Sequence, residues 1–374
     1  MARLFSFLVL LVAPVAFGQA IVPPPSIAAK SWLLFDLQSQ QMIAQRSAEE
    51  RVEPASLTKL MSAYLIFDAL KQKRIALSEE LFVSDKAWRA AGARMFLKPG
   101  SRVSVDQLMR AMIIISANDA TVALAEGVFG TEETFVQRMN AQAQRLGLTN
   151  THFANATGLP HAQHYSTAMD LARLAAALIR DHPQYLPLYQ FREFTYNAVT
   201  QQNRNLLLGR DPRIDGLKTG YTESAGYCII VTARRDERRL LAVVMGAPSE
   251  STRAIEAQKL INYGFQHYET IRVYAKGAVV SQLPVWKGSE KQVKAGFDRD
   301  LYISVPRGQA NRVQAELSSQ QPLIAPVNQQ QRVGVLRLSF DGKPLGEYPV
   351  VALETVGVAN LVMRAWDSVR LLFN

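Results

Sequence analysis

Two apolar, β-branched runs, Tyr227–Thr232 and Leu240–Met245, flank the charged turn Arg234-Arg235-Asp236-Glu237. Such a pair predicts a strand hairpin whose apolar surface must be covered by other elements. The covering elements are legible upstream and downstream. Ser104-Val-Asp-Gln107 is a capping-box pattern opening the run Leu108–Ile115. Glu132–Leu146 has helical spacing and stops at Gly147, and Thr167-x-x-Asp170 caps a helix over Leu171–Ile179. A further helix is predicted over Thr252–Tyr263. Nearer the start, Trp32–Phe35 reads as a strand with Met42–Ala44 as its return. Strand hairpin, helices, strand hairpin, helix predicts an α/β (α+β) domain: one sheet covered by helices.

The pattern changes near residue 268. From there to residue 354 only short strand-like runs occur, among them Ile271–Val273, Gly277–Leu283, Leu301–Val305, Val333–Phe340 and Tyr348–Leu353. Pro306-Arg307-Gly308 and Asp341-Gly342 mark turns between them. This predicts a small all-β domain over 268–354, following a larger domain over 21–267. In the tail, 355–374, the residues Val358, Leu361, Val362, Ala365, Trp366, Val369, Leu372 and Phe373 share one helical face. Asn360, Arg364, Asp367, Ser368 and Arg370 fill the other. A terminal amphipathic helix of this kind fits a membrane surface, with packing against its own domain as the alternative.

Residues 1–20 combine Arg3, an apolar run Leu4–Phe17 and the ending Gly18-Gln19-Ala20, the pattern of a cleaved export signal. The run is short for a membrane span, which needs about twenty apolar residues. The single cysteine, Cys228, excludes a disulfide framework within the chain and a thiolate-rich zinc site. It lies in an apolar run and is expected to be buried. A net charge of +10 suits an anionic membrane or an acidic polymer. No basic helix or RNA-binding signature accompanies it, so no nucleic-acid partner is expected. His161-Ala-Gln-His164 lacks the glutamate and the spacing of a helical zinc motif, and no metal or other cofactor is expected.

Ser56-Leu57-Thr58-Lys59 carries the chemistry. Serine and lysine three apart at a helix start lie on one face. The lysine amine can then take the serine proton directly, in the place of a histidine, provided that burial and nearby positive charge keep it neutral. Alone the pattern is weak, since about one is expected by chance in a chain of this length. Two companions sharpen it. Ser116-Ala117-Asn118 falls at the junction of two helical segments, and Lys218-Thr219-Gly220 is read as opening the strand that leads to Tyr227. Ser-x-x-Lys, Ser-x-Asn and Lys-Thr-Gly, in this order, form the set of penicillin-recognising serine enzymes.

With these motifs the chain resembles the low-molecular-mass penicillin-binding proteins of class C, type-5 kind, which are D-alanyl-D-alanine carboxypeptidases. The resemblance runs over Glu53-Pro-Ala-Ser56-Leu-Thr-Lys59-Leu-Met, Ser116-Ala-Asn118-Asp-Ala, Gln202-Asn-Arg204-Asn, Asp215-Gly-Leu-Lys218-Thr-Gly220 and Val243-Val-Met-Gly246-Ala. It continues through the β module and the terminal helix, which anchors such enzymes in the inner membrane. The family often has glycine where this chain has Ala117, and usually histidine where it has Tyr221.

The resemblance implies a fold of the serine β-lactamase/DD-peptidase kind and a set of roles. Ser56 attacks the carbonyl between the two terminal D-alanines of a cell-wall pentapeptide, with Lys59 as base. Backbone N–H groups of Ser56 and Tyr221 form the oxyanion hole. Ser116 relays the proton to the leaving amine, and Asn118 holds the substrate amide and Lys59. Lys218 offers charge to the terminal carboxylate and helps keep Lys59 neutral, while Thr219 donates to that carboxylate beside Gly220. Arg204 and Arg253 are supporting candidates. β-Lactams acylate the same serine, and the expected location is the periplasmic face of the inner membrane. Two alternatives stand beside this reading. A class A-like β-lactamase needs a deacylating glutamate, and none of Glu126, Glu132, Glu133 and Glu193 is read as standing in a Glu-x-x-x-Asn pattern. A silent wall-binding protein would not need Ser56, Lys59 and Lys218 intact.

Overall fold

The computed structural model describes residues 21–371. The expected export signal at 1–20, and Leu372 and Phe373 of the tail, lie outside the described residues. The larger domain is built on a five-stranded antiparallel sheet. Its strands are β1 (Ser31–Asp36), β2 (Gln41–Arg46), β3 (Ile214–Thr222), β4 (Gly226–Arg235) and β5 (Arg238–Ala247), in the order β2-β1-β5-β4-β3. The charged turn predicted between the apolar runs joins β4 to β5. The N-terminal hairpin pairs with the sheet through β1 and β5, with Ser31 opposite Met245 and Asp36 opposite Leu240.

The apolar runs lack alternation because both faces of the sheet are covered. Leu33, Cys228, Ile230 and Val243 enter the core shared with α1 (Lys59–Lys71), α2 (Val105–Ile114), α3 (Asn118–Phe129), α4 (Glu132–Arg145) and α5 (Ala168–Asp181). Leu34, Ile229, Val231 and Val244 face the other way, onto Leu260 and Ile261 of α6 (Glu250–His267). Each such buried side chain contributes about 1.5–3 kcal/mol. Helix α6 runs longer than predicted and approaches closely at Gly264, where a Cβ would stand 2.7 Å from a methyl of Leu240. The predicted caps form: the hydroxyls of Ser104 and Thr167 accept from the N–H groups of Gln107 and Asp170. Helix α1 is buried on nearly every side, so its first residue, Lys59, begins inside the core.

The all-β domain contains β6 (Tyr268–Tyr274), β7 (Val279–Trp286), β8 (Gln292–Gly296), β9 (Leu301–Pro306), β10 (Val313–Ser319), β11 (Leu323–Ile324), β12 (Arg332–Phe340) and β13 (Lys343–Ala352). A six-stranded sheet in the order β10-β12-β13-β8-β7-β11 packs over the β6-β9 pair. Strands β8, β10 and β11 are not evident in the sequence. They are short or half-polar, and their partners in the sheet decide them.

Two expectations are corrected. Lys218-Thr219-Gly220 does not open the strand leading to Tyr227: it lies within β3, and Tyr227 is on the next strand, opposite Tyr221. The terminal helix α7 spans Leu361–Arg370, and Val358 is not on it but bridges to Gly288 in the β domain. The described apolar face of α7 points outward, with Leu361 and Val362 each 79% and Trp366 65% exposed. The polar side makes the contacts. Asp367 accepts from the Lys287 N–H at 2.6 Å, and the Arg370 guanidinium packs 5.6 Å from the centre of the Trp286 ring.

Candidate active site

A cleft of about 300 Å3 opens where α1, the α2–α3 junction and the free edge of β3 converge. Ser56 lies in a 3-10 turn, Ala55–Thr58, that feeds directly into α1. The turn is clamped from two sides. Gly158 is left-handed (φ 87°), and a Cβ there would fall 1.8 Å from the Ala55 carbonyl oxygen. On the other side a Cβ at Gly220 would come within 3.1 Å of the Ser56 amide nitrogen. Ala55 itself is left-handed (φ 47°), a strain of about 1–2 kcal/mol carried beside the nucleophile.

Lys59 Nζ lies 3.0 Å from Ser56 Oγ and donates to the Thr157 carbonyl at 2.7 Å. Burial lowers the Lys59 ammonium to about 7, with the Arg204 guanidinium adding to the shift. Near neutrality the amine is therefore half deprotonated and can turn its lone pair to the serine proton. The Thr157 carbonyl is presented by a loop that the sequence reading missed. Asn155 Oδ1 accepts from the backbone N–H groups of Thr157, Gly158 and Leu159, at 3.1, 2.7 and 3.1 Å. The signal was Asn155-Ala-Thr-Gly158, an asparagine turn closed by glycine.

Ser116 stands between α2 and α3 with φ 64°, and its buried hydroxyl has no hydrogen-bond partner within the described protein. Asn118 opens α3. Its Nδ2 donates to the Ala91 carbonyl at 2.5 Å, while its Oδ1 is buried without a partner. Both Ser116 and Asn118 line the cleft. The expected hold of Asn118 on Lys59 does not appear among the hydrogen bonds of either residue; the Ala91–Ala93 loop takes that amide instead. Asp119 secures the same loop by accepting from the N–H groups of Met95 and Leu97. Ala117 has φ −62°, a conformation that needs no glycine.

Thr219, Gly220 and Tyr221 line the opposite wall. Lys218 is placed behind it. Its side chain is enclosed, Nζ donates to the Thr219 carbonyl at 2.9 Å, and burial with Lys59, Arg204 and Arg253 nearby lowers its ammonium well below the usual lysine range. Lys218 is thus buried at this edge of the cleft, with its ammonium on the Thr219 carbonyl. Arg204 and Arg253 line the cleft. Asn203 and Asn205, which flank Arg204, are tied to the Phe191 and Gly216 carbonyls at 3.0 and 3.1 Å. Arg253, near the start of α6, bonds Glu250 Oε1 at 2.7 Å and the carbonyls of Gly220 and Arg204 at 3.2 and 3.1 Å. It thus ties α6, β3 and the arginine loop together.

Among the described residues no carboxylate lines the cleft. The expectation that no glutamate sits in a Glu-x-x-x-Asn pattern is corrected: Glu193 stands four residues before Asn197, but its carboxylate is on an exposed hairpin, bonded to Gln202. Glu132 accepts from Ala156 N–H, and Glu126 from Ser84. Of the histidines, His164 is buried between Thr58 Oγ1 at 2.8 Å and the Ala154 N–H at 3.2 Å, and desolvation lowers it to about 4. Its neutral ring supports the nucleophile turn.

Two family models and several known proteins match the chain. Residues 18–249 match the D-alanyl-D-alanine carboxypeptidase family, and residues 268–358 match the C-terminal domain of penicillin-binding protein 5. The chain is 38% identical to the D-alanyl-D-alanine carboxypeptidase DacC of Escherichia coli K12 over 97% of its length and 93% of that protein's. The crystal structure of penicillin-binding protein 5 from Haemophilus influenzae superposes with a TM-score of 0.86 at 36% identity, covering 90% of this chain and 99% of that one. Penicillin-binding protein D2 from Listeria monocytogenes, in an ampicillin-bound form, covers 66% of this chain and all of that one, at 31% identity and a TM-score of 0.61.

Proposed function

The chain belongs to the D-alanyl-D-alanine carboxypeptidase family of serine peptidases, and from that premise we propose that it removes the terminal D-alanine of cell-wall pentapeptides through an acyl-enzyme on Ser56. The observation that carries this reading is the buried Lys59 amine, 3.0 Å from Ser56 Oγ and lowered to about 7. Lys59 takes the serine proton as Oγ adds to the carbonyl of the penultimate D-alanine. The oxyanion is held by the N–H groups of Ser56 and Tyr221, a role supported by the close approach of Gly220 to the Ser56 amide. Each such donor is worth roughly 10²–10³ in rate.

Collapse of the adduct expels D-alanine, whose amine takes its proton by way of Ser116. The free Oδ1 of Asn118 accepts an amide N–H of the peptide. Thr219, Arg204 and Arg253 receive the terminal carboxylate. Lys218 is buried close enough to Lys59 that the Lys59 charge lowers its ammonium, and it adds positive charge to this end of the cleft. Water then cleaves the ester. A β-lactam acylates Ser56 in the same way, and without a carboxylate beside the ester its hydrolysis is slow. That feature favours a carboxypeptidase over a β-lactamase. The test is release of D-alanine from a pentapeptide ending in D-Ala-D-Ala. Turnover of penicillin with no D-alanine released would refute the reading.

Attachment to the inner membrane from the periplasmic side is part of the same reading. No described helix is long and apolar enough to cross a membrane. The polar side of α7 is bound to the β domain while Leu361, Val362, Trp366 and Val369 face outward, which suits a helix lying in a lipid surface. Truncation after Val356 is expected to abolish sedimentation with anionic vesicles and to leave D-alanine release from a small peptide intact. Full-length protein that washes off in high salt alone would rule out an apolar anchor.

A further inference from the structure

Thr157, Gly158 and Leu159 form one stretch of the cleft wall, and the Thr157 carbonyl is the second acceptor of the Lys59 amine, at 2.7 Å. The segment 153–159 that carries them belongs to no helix or strand. Side chains hold it, and they divide it in two. The first half is tied into the core. Phe153 exchanges two hydrogen bonds with the Asn140 amide of α4, each at 2.8 Å. Ala156 N–H donates to Glu132 Oε1 at 3.0 Å, and the Ala156 carbonyl accepts from Ser62 Oγ of α1 at 2.7 Å. Ala154 N–H donates to His164 Nδ1 at 3.2 Å. That nitrogen therefore carries no proton, and Nε2–H donates to Thr58 Oγ1 at 2.8 Å, inside the nucleophile turn.

The second half hangs on one residue. The N–H groups of Thr157, Gly158 and Leu159 and the Thr157 hydroxyl all donate to Asn155 Oδ1, at 3.1, 2.7, 3.1 and 3.0 Å. Asn155 Nδ2 closes the turn on the Leu159 carbonyl at 2.9 Å. Asn155 itself is half-buried and is not among the residues lining the cleft. Its hydrogen bonds reach Lys59 by way of the Thr157 carbonyl.

A base has to be aimed as well as neutral. With one N–H of the neutral amine on the Thr157 carbonyl, the amine cannot spin freely, and its lone pair is kept on the proton of Ser56 Oγ, 3.0 Å away. If that carbonyl swings off, the amine rotates and water enters beside it. We propose, on the reading given under Proposed function, that Asn155 is a positioning residue for the base: by gathering the N–H groups of 157–159 it holds the Thr157 carbonyl on the Lys59 amine and so directs the amine to Ser56. The contacts close a ring that starts and ends at the nucleophile turn, from Thr58 through His164, Ala154, Asn155 and Thr157 to Lys59.

The test compares the full chain with Asn155→Ala and Asn155→Ser in D-alanine release from a pentapeptide ending in D-Ala-D-Ala, across pH. Asn155→Ala is expected to lower kcat roughly 10²-fold, the loss that a misplacement of about 1 Å brings, with KM within about threefold of the wild type. Its rising pH limb should move up by at least about half a unit, since water beside the amine relieves the burial that chiefly lowers Lys59, ahead of Arg204. Asn155→Ser keeps an oxygen that can accept from the turn, and should recover kcat to within roughly tenfold of the wild type. Both variants should melt within about 5 °C of the wild type, because 153–156 keep their own ties. A kcat within about threefold of the wild type in Asn155→Ala, or a rate that falls as KM rises with the limb unmoved, would overturn the role. Where Asn155→Ala does not fold, Asn155→Ser decides by the same limb: displaced, it supports the role; unmoved, it overturns it. A wild type that turns over penicillin but releases no D-alanine would overturn the carboxypeptidase reading instead. The rate of penicillin acylation, which uses the same Lys59 and Ser56, then tests Asn155 in its place.

Discussion

Ser56→Ala is expected to eliminate both covalent labelling by a fluorescent penicillin and release of D-alanine, a loss of at least roughly 10⁴-fold in kcat. No other hydroxyl can substitute for it. Ser116 Oγ is in the cleft, but it does not hydrogen-bond Lys59, whose Nζ is held by Ser56 Oγ and the Thr157 carbonyl. Stability should change little. Among the described residues the side-chain hydrogen bond lost is the one to Lys59, worth about 1 kcal/mol, and the amine keeps its second acceptor. The 3-10 turn is held by Gly158 and Gly220, not by the Ser56 side chain. The measurement is gel fluorescence beside a thermal melt of the same sample. A folded variant that still takes up label would place the nucleophile elsewhere.

Lys59→Arg is expected to be nearly as damaging, because a guanidinium stays protonated and cannot act as a base near neutrality. The pH profile makes the same argument in the wild type. With Lys59 lowered to about 7, kcat/KM should rise about tenfold per pH unit below that value and level off above it. The rising limb should be absent from whatever activity the arginine variant retains. Arginine is larger and could disturb a buried helix start, so Lys59→Met is the companion. It removes the base, fills similar space and relieves the burial of an amine.

The methionine variant should be inactive, and at least as stable as the wild type at pH 7. It should also lose one pH dependence of stability. Lys59 has its usual value of 10.5 when unfolded and about 7 when folded, so the unfolded chain binds more protons between those values. Wild-type stability should therefore rise with pH across that window relative to the variant. If Lys59→Met keeps D-alanine release within tenfold of the wild type, Lys59 is not the base.

The chain order of residues conveyed what is local. A spacing of three puts Ser56 and Lys59 on one face whatever surrounds them. Hydroxyl and amide positions at helix starts gave the caps at Ser104 and Thr167, because a cap is closed within four residues. Continuous apolar runs at Tyr227–Thr232 and Leu240–Met245 gave the central strands, since a polar residue there would face a core on either side.

What depends on surroundings appeared only in three dimensions. The basicity of Lys59 comes from the burial of α1 and from Arg204, well over a hundred residues away in the chain, and burial is a property of everything packed around a group. The same holds for Lys218. Its place in the Lys-Thr-Gly motif gave the residue and its charge, but that the motif runs mid-strand along β3 and that burial beside Lys59, Arg204 and Arg253 lowers its ammonium is set by the packing around it. In α7, the alternation of apolar and polar residues defined two faces without saying which would bind the protein. The carboxylate of Asp367 and the guanidinium of Arg370 found partners on the β domain, and the apolar side was left outward. A sequence fixes which groups can meet within a turn or two; which distant groups share a low-dielectric space, and which side of a helix is free, is set by the packing of the whole chain.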